Sequence, residues 1–517
     1  MAATLMRSIS FPDAGFGEND QDPNSALQEL DRGLKSSNVG EQCEAISRFP
    51  CLFEKYPFPI LINSAMLKLA EVFRQETAGS NFVRVCVCEV LETSSRHLDK
   101  LINVDEFLRR ITTVMHSNDP LARALTLQAL GLLCGVVGEA KQVQHLVRDA
   151  LDASHSLELQ AAIAAAEKYA AVSKTFAVSM CERLTQMLSA LSTPVEVKLQ
   201  LIKVFQHMHH DAETAATVRG VCLQLLERYP TQRVVITTLH ALTQLAAHCL
   251  VHIPLQVDLV LLWVSKESRA GVRSAALREL RYLASAAPHA WSSGNVASLV
   301  AFTRAARTDA AKEPDAALAA GVAGLNLRGP DEAGDGRDSE HDLTTAAALN
   351  VLVTLTSAPA LPHLNLSADC ELVKLSREFV YDANVTIASI ALQLFTNIAL
   401  YMNEERCDAK PGGSRAGGAD AAHSVAVCGD ALDAGVALLH TLAHQTHAAP
   451  TSPTAHLCFK VPLVSAFCEA ELCSLAVCEA LASLGGSKRG VLTPHIPALL
   501  SYLQTCTPAS PASTRLT

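Results

Sequence analysis

The chain has 517 residues, of which 49% are apolar and only 5% aromatic, and its formal net charge is -10. This length exceeds what one compact core usually holds, so the chain needs several domains or an open array of repeats. No cluster of basic residues appears, which argues against a groove for nucleic acid, and we expect no direct nucleic-acid binding.

The N-terminal 23 residues are rich in Asp, Asn, Gly and Pro and show no hydrophobic periodicity, so residues 1–23 are predicted to be flexible. They also lack the continuous apolar core of a secretory signal. The sequence therefore predicts an intracellular protein whose 16 cysteines stay reduced and mostly act as small core residues. No apolar run approaches the ~20 residues that cross a bilayer, so no membrane segment is expected.

Helical patterns follow. A first helix is predicted from about Ser25, with Asn24 or Ser25 as its N-terminal cap. A second hairpin is predicted from Gly40, and its buried side chains are Phe49, Leu52 and Phe53. The YPFP stretch at 56–59 should break that hairpin before a helix at 60–73.

A repeat is the main signal of the chain. Six similar apolar windows recur at intervals of 37 to 39 residues, at Arg84, Arg123, Gln160, Lys198, Val235 and Arg273, which we call the repeat anchors. Leu127 and Leu130 stand four and seven places after Arg123, the spacing of one helix face. A period near 38 built from two amphipathic helices is typical of HEAT or armadillo repeats. We therefore predict an all-α, HEAT/armadillo-like α-solenoid of stacked antiparallel helical hairpins over residues 24–307.

The clearest single repeat lies between residues 101 and 135. Its first helix is predicted near Val104–Met115, and the turn at 116–120 offers Asp119 as a cap and Pro120 as the first residue of the second helix. The same pattern recurs at 253–288, where residues 266–271 form the turn and Pro288 ends the second helix.

The C-terminal third is interrupted twice. A stretch after Thr308 has too much Gly, Asp and Ala to bury a core, and the register is predicted to resume near Thr345 and again near Thr386. The predicted segments are a disordered Gly/Asp-rich insertion at 308–342, continued repeats at 343–405, a Gly-rich loop at 406–424, further helical segments at 425–505 and a disordered tail at 506–517.

Two clusters suggest metal binding. His207–Asp211 contains three histidines and an aspartate, but no further ligand follows at a suitable spacing, and histidines are also favoured at a helix C-terminus. Cys468, Cys473 and Cys478 point in different directions on one helix. No catalytic, cofactor-binding or metal residue is predicted, no cofactor is expected, and the chain is not predicted to be an enzyme.

The basic repeat anchors allow two interpretations. Arg84, Arg123, Lys198 and Arg273 could form a ladder for a ligand, or each could pair with an Asp or Asn of a neighbouring turn, as Asp119 could. In stacked hairpins the second, structural role is the more common, and we favour it.

Several long segments carry a resemblance. They are NSALQELDRGL from Asn24, GEQCEAISRFPCLFEKYPFPILINSAMLKLAEVFR from Gly40, LINVDEFLRRI from Leu101, HSNDPLARALTLQALG from His116 and PVEVKLQLIKVFQHMHHDA from Pro194. Together these resemble the Integrator complex subunit 7 family, well over residues 24–310 and more patchily afterwards. The insertion after Thr308 departs from the family pattern, and family members continue well beyond this length.

The resemblance implies a non-catalytic α-solenoid of Integrator, a nuclear assembly that associates with RNA polymerase II. Integrator cleaves nascent RNA through other subunits, forms small nuclear RNA 3′ ends, terminates transcription near promoters and recruits protein phosphatase 2A. The expected partners are other Integrator subunits, especially the large helical backbone subunits, with RNA polymerase II and protein phosphatase 2A reached through the complex. The expected location is the nucleus.

Two other classes stay open at this point. One is a transport or adaptor solenoid that binds peptide cargo in a groove, although no Trp/Asn ladder is recognisable. The other is a direct RNA-binding solenoid, which requires a basic patch assembled only in three dimensions.

Overall fold

The fold of the chain is all-α. The computed structural model describes residues 22–76, 79–320, 335–357, 370–407, 430–431 and 433–438, and within these ranges no residue belongs to a β-strand. The chain divides into two units, Met1–Gln224 and Leu225–Thr517. Each unit consists of stacked helical hairpins of the HEAT/armadillo type, which confirms the predicted fold class.

The first unit contains hairpins joined by short turns, with 3₁₀ turns at Ser95–Lys100 and Thr113–His116. Its helices are α1 (Pro23–Leu34), α2 (Val39–Ser47), α3 (Phe49–Lys55), α4 (Pro59–Arg74), α5 (Ser80–Thr93), α6 (Val104–Thr112), α7 (Pro120–Leu132), α8 (Cys134–Val137), α9 (Lys141–Ala150), α10 (Ser156–Val172), α11 (Lys174–Ser189), α12 (Val195–Phe205) and α13 (Ala212–Arg228), which contains the boundary.

Two layers of helices make up the first unit. Helices α2, α5, α7, α10 and α12 pack against one another in that order, and α1, α4 and α6 form a second layer against them. Their apolar faces meet in a continuous core in which Phe49, Leu52 and Phe53 are fully buried, as the sequence predicts. Fully burying one such side chain stabilises the fold by about 1.5 to 3 kcal/mol, so each hairpin holds its neighbour.

Most predicted helix limits in this unit hold to within a few residues. Asp119 accepts a hydrogen bond from the backbone N–H of Leu121 at 3.0 Å, and Pro120 is the first helical residue, which confirms the predicted cap. The first helix begins earlier than predicted, at Pro23 rather than Ser25, because the fixed φ of proline suits the first helical position. The helix predicted at Val104–Met115 is α-helical only to Thr112 and ends in a 3₁₀ turn.

The second unit continues the same pattern of helical hairpins, with 3₁₀ turns at Leu250–His252 and Pro288–Ala290. Its helices are α14 (Gln232–Ala247), α15 (Ile253–Lys266), α16 (Ala270–Ala286), α17 (Ser293–Ala320), α18 (Asp335–Thr356), α19 (Glu371–Phe379) and α20 (Val385–Cys407). Residues 430–431 and 433–438 are also helical.

Helices α14, α16, α18 and α20 form one layer of the second unit, and α15, α17 and α19 form the other. Helices α18 and α20 take consecutive places after α16, which is the arrangement that a resumption of the repeat near Thr345 and Thr386 requires. A polar cluster joins three of these elements: Arg307 on α17 lies 2.5 Å from Asp342 on α18 and 2.7 Å from Asp382 in the turn before α20.

The limits predicted for the Gly/Asp-rich insertion, 308–342, differ from the structure. Helix α17 extends through the alanine-rich residues 309–320, because alanine is the best helix former, and α18 begins at Asp335. Residues 321–334 lie outside the described part of the chain. So do the predicted flexible residues 1–21, residues 408–429 of the Gly-rich loop region, and everything from 439 onward, including Cys468, Cys473 and Cys478.

In the ranges that the structure covers, none of the helices combines the length and the apolar composition that a bilayer span requires.

Candidate functional site

Arg84, the first repeat anchor, is buried, with only 2% of its surface exposed. Its Nε and Nη2 donate hydrogen bonds to the backbone carbonyls of Phe73 and Gln75, each at 3.0 Å, and its Nη1 donates to Asn81 Oδ1 at 2.8 Å. Burial lowers the pKa of the guanidinium. The side chain therefore supplies donors to carbonyls at the C-terminal end of α4, where a helix lacks its own N–H partners.

The next basic anchors, Arg123 and Lys198, also donate hydrogen bonds to backbone carbonyls. Arg123 donates to the carbonyl of Ser117 at 2.8 Å, and it also forms a two-point ion pair with Glu158 at 2.9 and 2.7 Å. The hydrogen bonds that Arg123 donates to the Glu158 carboxylate raise the pKa of Arg123. Lys198 Nζ donates to the carbonyls of Leu188 and Ala190 at 2.7 and 2.8 Å. At these anchors the structural interpretation is confirmed, although the partners are mainly carbonyls that end the preceding helix.

Two details of the predicted ladder are wrong. Asp119 does not form the predicted pair with a basic anchor, since it caps α7 and accepts a hydrogen bond from Asn81 Nδ2 at 2.6 Å. At the last anchor, Arg273 Nε is buried without a hydrogen-bond partner. There Arg269, four residues earlier, donates to the carbonyl of Pro230 at 2.8 Å instead.

The histidine cluster at 207–211 lies in the turn between α12 and α13. Gln206 Nε2 lies 3.0 Å from His207 Nε2, and the rings of His209 and His210 stack with centroids 4.3 Å apart. Asp211 accepts hydrogen bonds from the N–H and the hydroxyl of Thr214, which lower the pKa of its carboxyl. In the residues for which side chains are described, no group of three or more His, Cys, Asp or Glu could hold a metal ion.

The described cysteines are free thiols. Cys88 and Cys222 are buried, and burial raises the pKa of each thiol to about 12. Cys86, Cys134 and Cys249 are half-buried. A thiol with such a raised pKa is a poor nucleophile and a poor metal ligand, so the two buried cysteines act as core residues.

An open groove lies beside the first two anchors, where the N-terminal ends of α5 and α7 meet. Its volume is about 500 Å³, and the side chains that line it include Asn81, Phe82, Val85, Asp119 and Leu121. Gly79 closes one end with φ of 85°, a conformation that favours glycine. This groove was not predicted from the sequence, although Phe82 and Leu121 each stand two places before an anchor.

The groove carries one ionised carboxylate. The hydrogen bond from Asn81, together with the backbone N–H groups of Leu121 and Ala122, holds the pKa of Asp119 below its usual value. Phe82 is 72% exposed and Leu121 is 40% exposed. This arrangement can bind a partner through apolar contact beside a fixed negative charge.

A family model and curated relatives that match this chain carry the same name, Integrator complex subunit 7. A family model described as Integrator complex subunit 7, N-terminal, matches residues 27–516. Integrator complex subunit 7 of Homo sapiens is 42% identical over 414 residues, which cover 78% of this chain and 39% of the human protein. The Drosophila melanogaster protein is 46% identical over 298 residues, covering 57% of this chain and 29% of that one. A crystal structure of importin beta is 12% identical with a TM-score of 0.48, covering 96% of this chain and 68% of importin beta.

The chain thus spans about two fifths of the length of the human relative that it matches. The family match extends well past residue 310, where the resemblance seen in the sequence becomes patchy. Because the match covers nearly the whole chain, this chain belongs to the Integrator complex subunit 7 family.

Proposed function

We propose that this chain is a non-catalytic scaffold subunit of the nuclear Integrator complex. It supports small nuclear RNA 3′-end processing and RNA polymerase II transcription termination through protein-protein contacts. Its direct partners are other Integrator subunits, above all the large helical backbone subunits, and it reaches RNA polymerase II and protein phosphatase 2A through the complex. The observation that carries the proposal is the family match over residues 27–516.

The side chains support a scaffold role. The basic residues that most resemble a ligand ladder are used inside the stack: Arg84 and Lys198 donate to carbonyls, and Arg123 is held between a carbonyl and Glu158. A stack of hairpins fixed in this way leaves its turns and outer helix faces free for contacts with other proteins. Large surfaces assembled from many weak contacts are what a structural subunit needs.

Affinity purification tests the proposal. The tagged full chain is recovered from nuclear extract, and the co-purifying proteins are quantified by mass spectrometry. We expect Integrator subunits in stoichiometric amounts, and we expect them to be lost with Leu277→Asp, which places a charge in the core between α16 and its neighbours. Recovery of transport cargo, or of RNA with binding that falls steeply with salt, would instead support one of the two other classes.

A cellular assay tests the process. Depletion of the native protein should produce small nuclear RNA transcripts that extend past their normal 3′ ends, and re-expression of the chain should restore cleavage if this part of the protein suffices for assembly. Normal 3′ ends after depletion would refute the proposed role.

A further inference from the structure

The groove beside the first anchors belongs to a longer row of exposed apolar side chains in the first unit. One residue stands in the first turn of each of four neighbouring helices of one layer, at intervals of 39, 36 and 38 residues. These residues are Phe82, Leu121, Leu157 and Val195, which are 72%, 40%, 47% and 50% exposed. Exposed apolar side chains at the same place in successive repeats form a row, and exposed apolar patches mark interaction surfaces.

Hydrogen bonds show that the four helix ends lie side by side. Asn81 at the start of α5 contacts Asp119 at the start of α7 at 2.6 Å, and Arg123 on α7 contacts Glu158 at the start of α10 at 2.7 Å. Helix α10 packs against α12. Gln206, directly after α12, donates a hydrogen bond to Glu167 on α10, and the two residues are again about one repeat apart in sequence. The row therefore runs along one edge of the unit, which we call the apolar edge.

The apolar edge exposes negative charge, whereas its basic anchors are used in internal contacts. The basic anchors of these helices are used internally, since Arg84 and Lys198 donate to backbone carbonyls and Arg123 pairs with Glu158. The carboxylate of Asp119 lines the groove. Glu76, three residues before the lining residue Gly79, is exposed. Among the described residues that line the groove, none is basic. A partner that complements this surface is both apolar and positively charged, whereas the phosphates of RNA would be repelled.

We propose that the apolar edge binds a basic, apolar segment of a partner subunit. A large apolar side chain of that segment enters the groove between Phe82 and Leu121, and a neighbouring Lys or Arg pairs with Asp119. The segment then continues along Leu157 and Val195. This inference rests on the proposed function only for the identity of the partner as an Integrator subunit.

Two substitutions separate this role from folding. Phe82→Ser removes a side chain that is 72% exposed, so it changes the surface rather than the core. Asp119→Asn removes the charge and keeps the cap on Leu121, because Asn and Asp cap helices equally well. It also loses the hydrogen bond from Asn81 to the second carboxylate oxygen, so the thermal stability of this variant is measured beside its binding. The matched controls are Ile60→Ser, where the side chain is 79% exposed, and Asp105→Asn on an exposed helix start. Ile60 lies at the opposite end of α4, about 24 Å from the end that meets the groove.

The experiment uses the full tagged chain with a photo-cross-linking amino acid at position 82, or at position 60 as control. The cross-linked partner peptide is sequenced by mass spectrometry. We expect a peptide that carries a large apolar residue within about four positions of Lys or Arg. We expect Asp119→Asn to lower the cross-linking yield at position 82 by about threefold, the effect of losing one partly exposed ion pair, and Asp105→Asn to leave it unchanged. Phe82→Ser, in the chain without the cross-linker, should reduce recovery of the same partner, and Ile60→Ser should not.

Several outcomes overturn the inference: no cross-link at position 82, a cross-link to an acidic segment, to RNA or to a second copy of this chain, or a yield insensitive to Asp119→Asn. The two proposals fail differently. If Integrator subunits are recovered normally but none is cross-linked at position 82, the apolar edge is not their docking surface and the scaffold role stands. If a basic, apolar peptide is cross-linked and no Integrator subunit is recovered, the scaffold role fails and the surface assignment stands.

Discussion

Arg84→Met should destabilise the first unit substantially, because it removes the hydrogen bonds that close the end of α4. Methionine keeps an unbranched apolar stem like that of arginine, but it lacks the guanidinium group, whose carbon lies 5.9 Å from the centroid of the Phe73 ring. It leaves the carbonyls of Phe73 and Gln75 without the two donors that now lie 3.0 Å away.

The expected loss follows from these contacts. A hydrogen bond from a charged donor is worth about 1.5 to 3 kcal/mol, so two contribute roughly 3 to 6 kcal/mol. Keeping a guanidinium with only 2% exposure costs desolvation energy, which also lowers the pKa of Arg84. Gln75 itself is exposed, so water can reach part of that helix end. We therefore expect a net loss of about 2 to 4 kcal/mol.

Hydrogen exchange read by mass spectrometry is the appropriate assay, because a chain of two units need not unfold in one step. Amides of α4 and α5 should exchange faster in Arg84→Met, with smaller changes farther along the stack. The matched control is Arg96→Met, which removes an exposed arginine that pairs with Glu54 and should cost under about 1 kcal/mol. Equal protection in the two variants would refute the role assigned to Arg84.

Three further predictions concern stability. Leu277→Asp, at a side chain that is 1% exposed, should cost more than about 4 kcal/mol in thermal unfolding, whereas Leu262→Asp, at 47% exposure, should cost little; similar losses would contradict the packing assignment. A double-mutant cycle with Arg123→Gln and Glu158→Gln should give a coupling energy of about 1 to 2 kcal/mol, and additive effects would refute the ion pair as a link between repeats. The arginine beside Glu267 lowers the pKa of that carboxyl to about 2, from 4.5, so its stabilisation is present above pH 4.5 and is lost as the pH falls toward 2. Glu267→Gln should flatten that part of the pH-stability curve, and an unchanged curve would contradict the assignment.

The sequence predicted the architecture because one physical constraint, burial of a helix face, repeats at every hairpin. Arg123 and the leucines four and seven places after it show a stripe that only a helix produces. The cap at Asp119 and the helix start at Pro120 were predictable because they depend on neighbouring residues alone. Local sequence rules therefore predicted the hairpins, and the regular period predicted that the hairpins stack.

The sequence did not predict the contacts that depend on distant residues. The partner of Arg123 is Glu158, 35 residues away, and nothing local distinguishes it from Asp119. The exposure of single side chains was not predicted either. Phe82 and Val83 are adjacent apolar residues, yet Phe82 is 72% exposed and Val83 only 2%. Which of two neighbours faces the core depends on where the next hairpin packs, and sequence spacing alone does not fix that to within one residue.

Variants of the anchors and variants of the apolar edge should behave differently, because the anchors make contacts inside the stack and the apolar edge is exposed. A change at Arg84 or Lys198 removes donors from helix-ending carbonyls, so it should loosen the stack and weaken every partner contact together. A change at Phe82 or Asp119→Asn leaves those donors in place, so it should weaken one contact and spare the rest. A peptide-cargo solenoid with its ligand on the anchors would show the reverse, with anchor variants losing ligand while their stability stays intact. Measuring stability and partner recovery on the same variants therefore decides between a scaffold and a cargo groove.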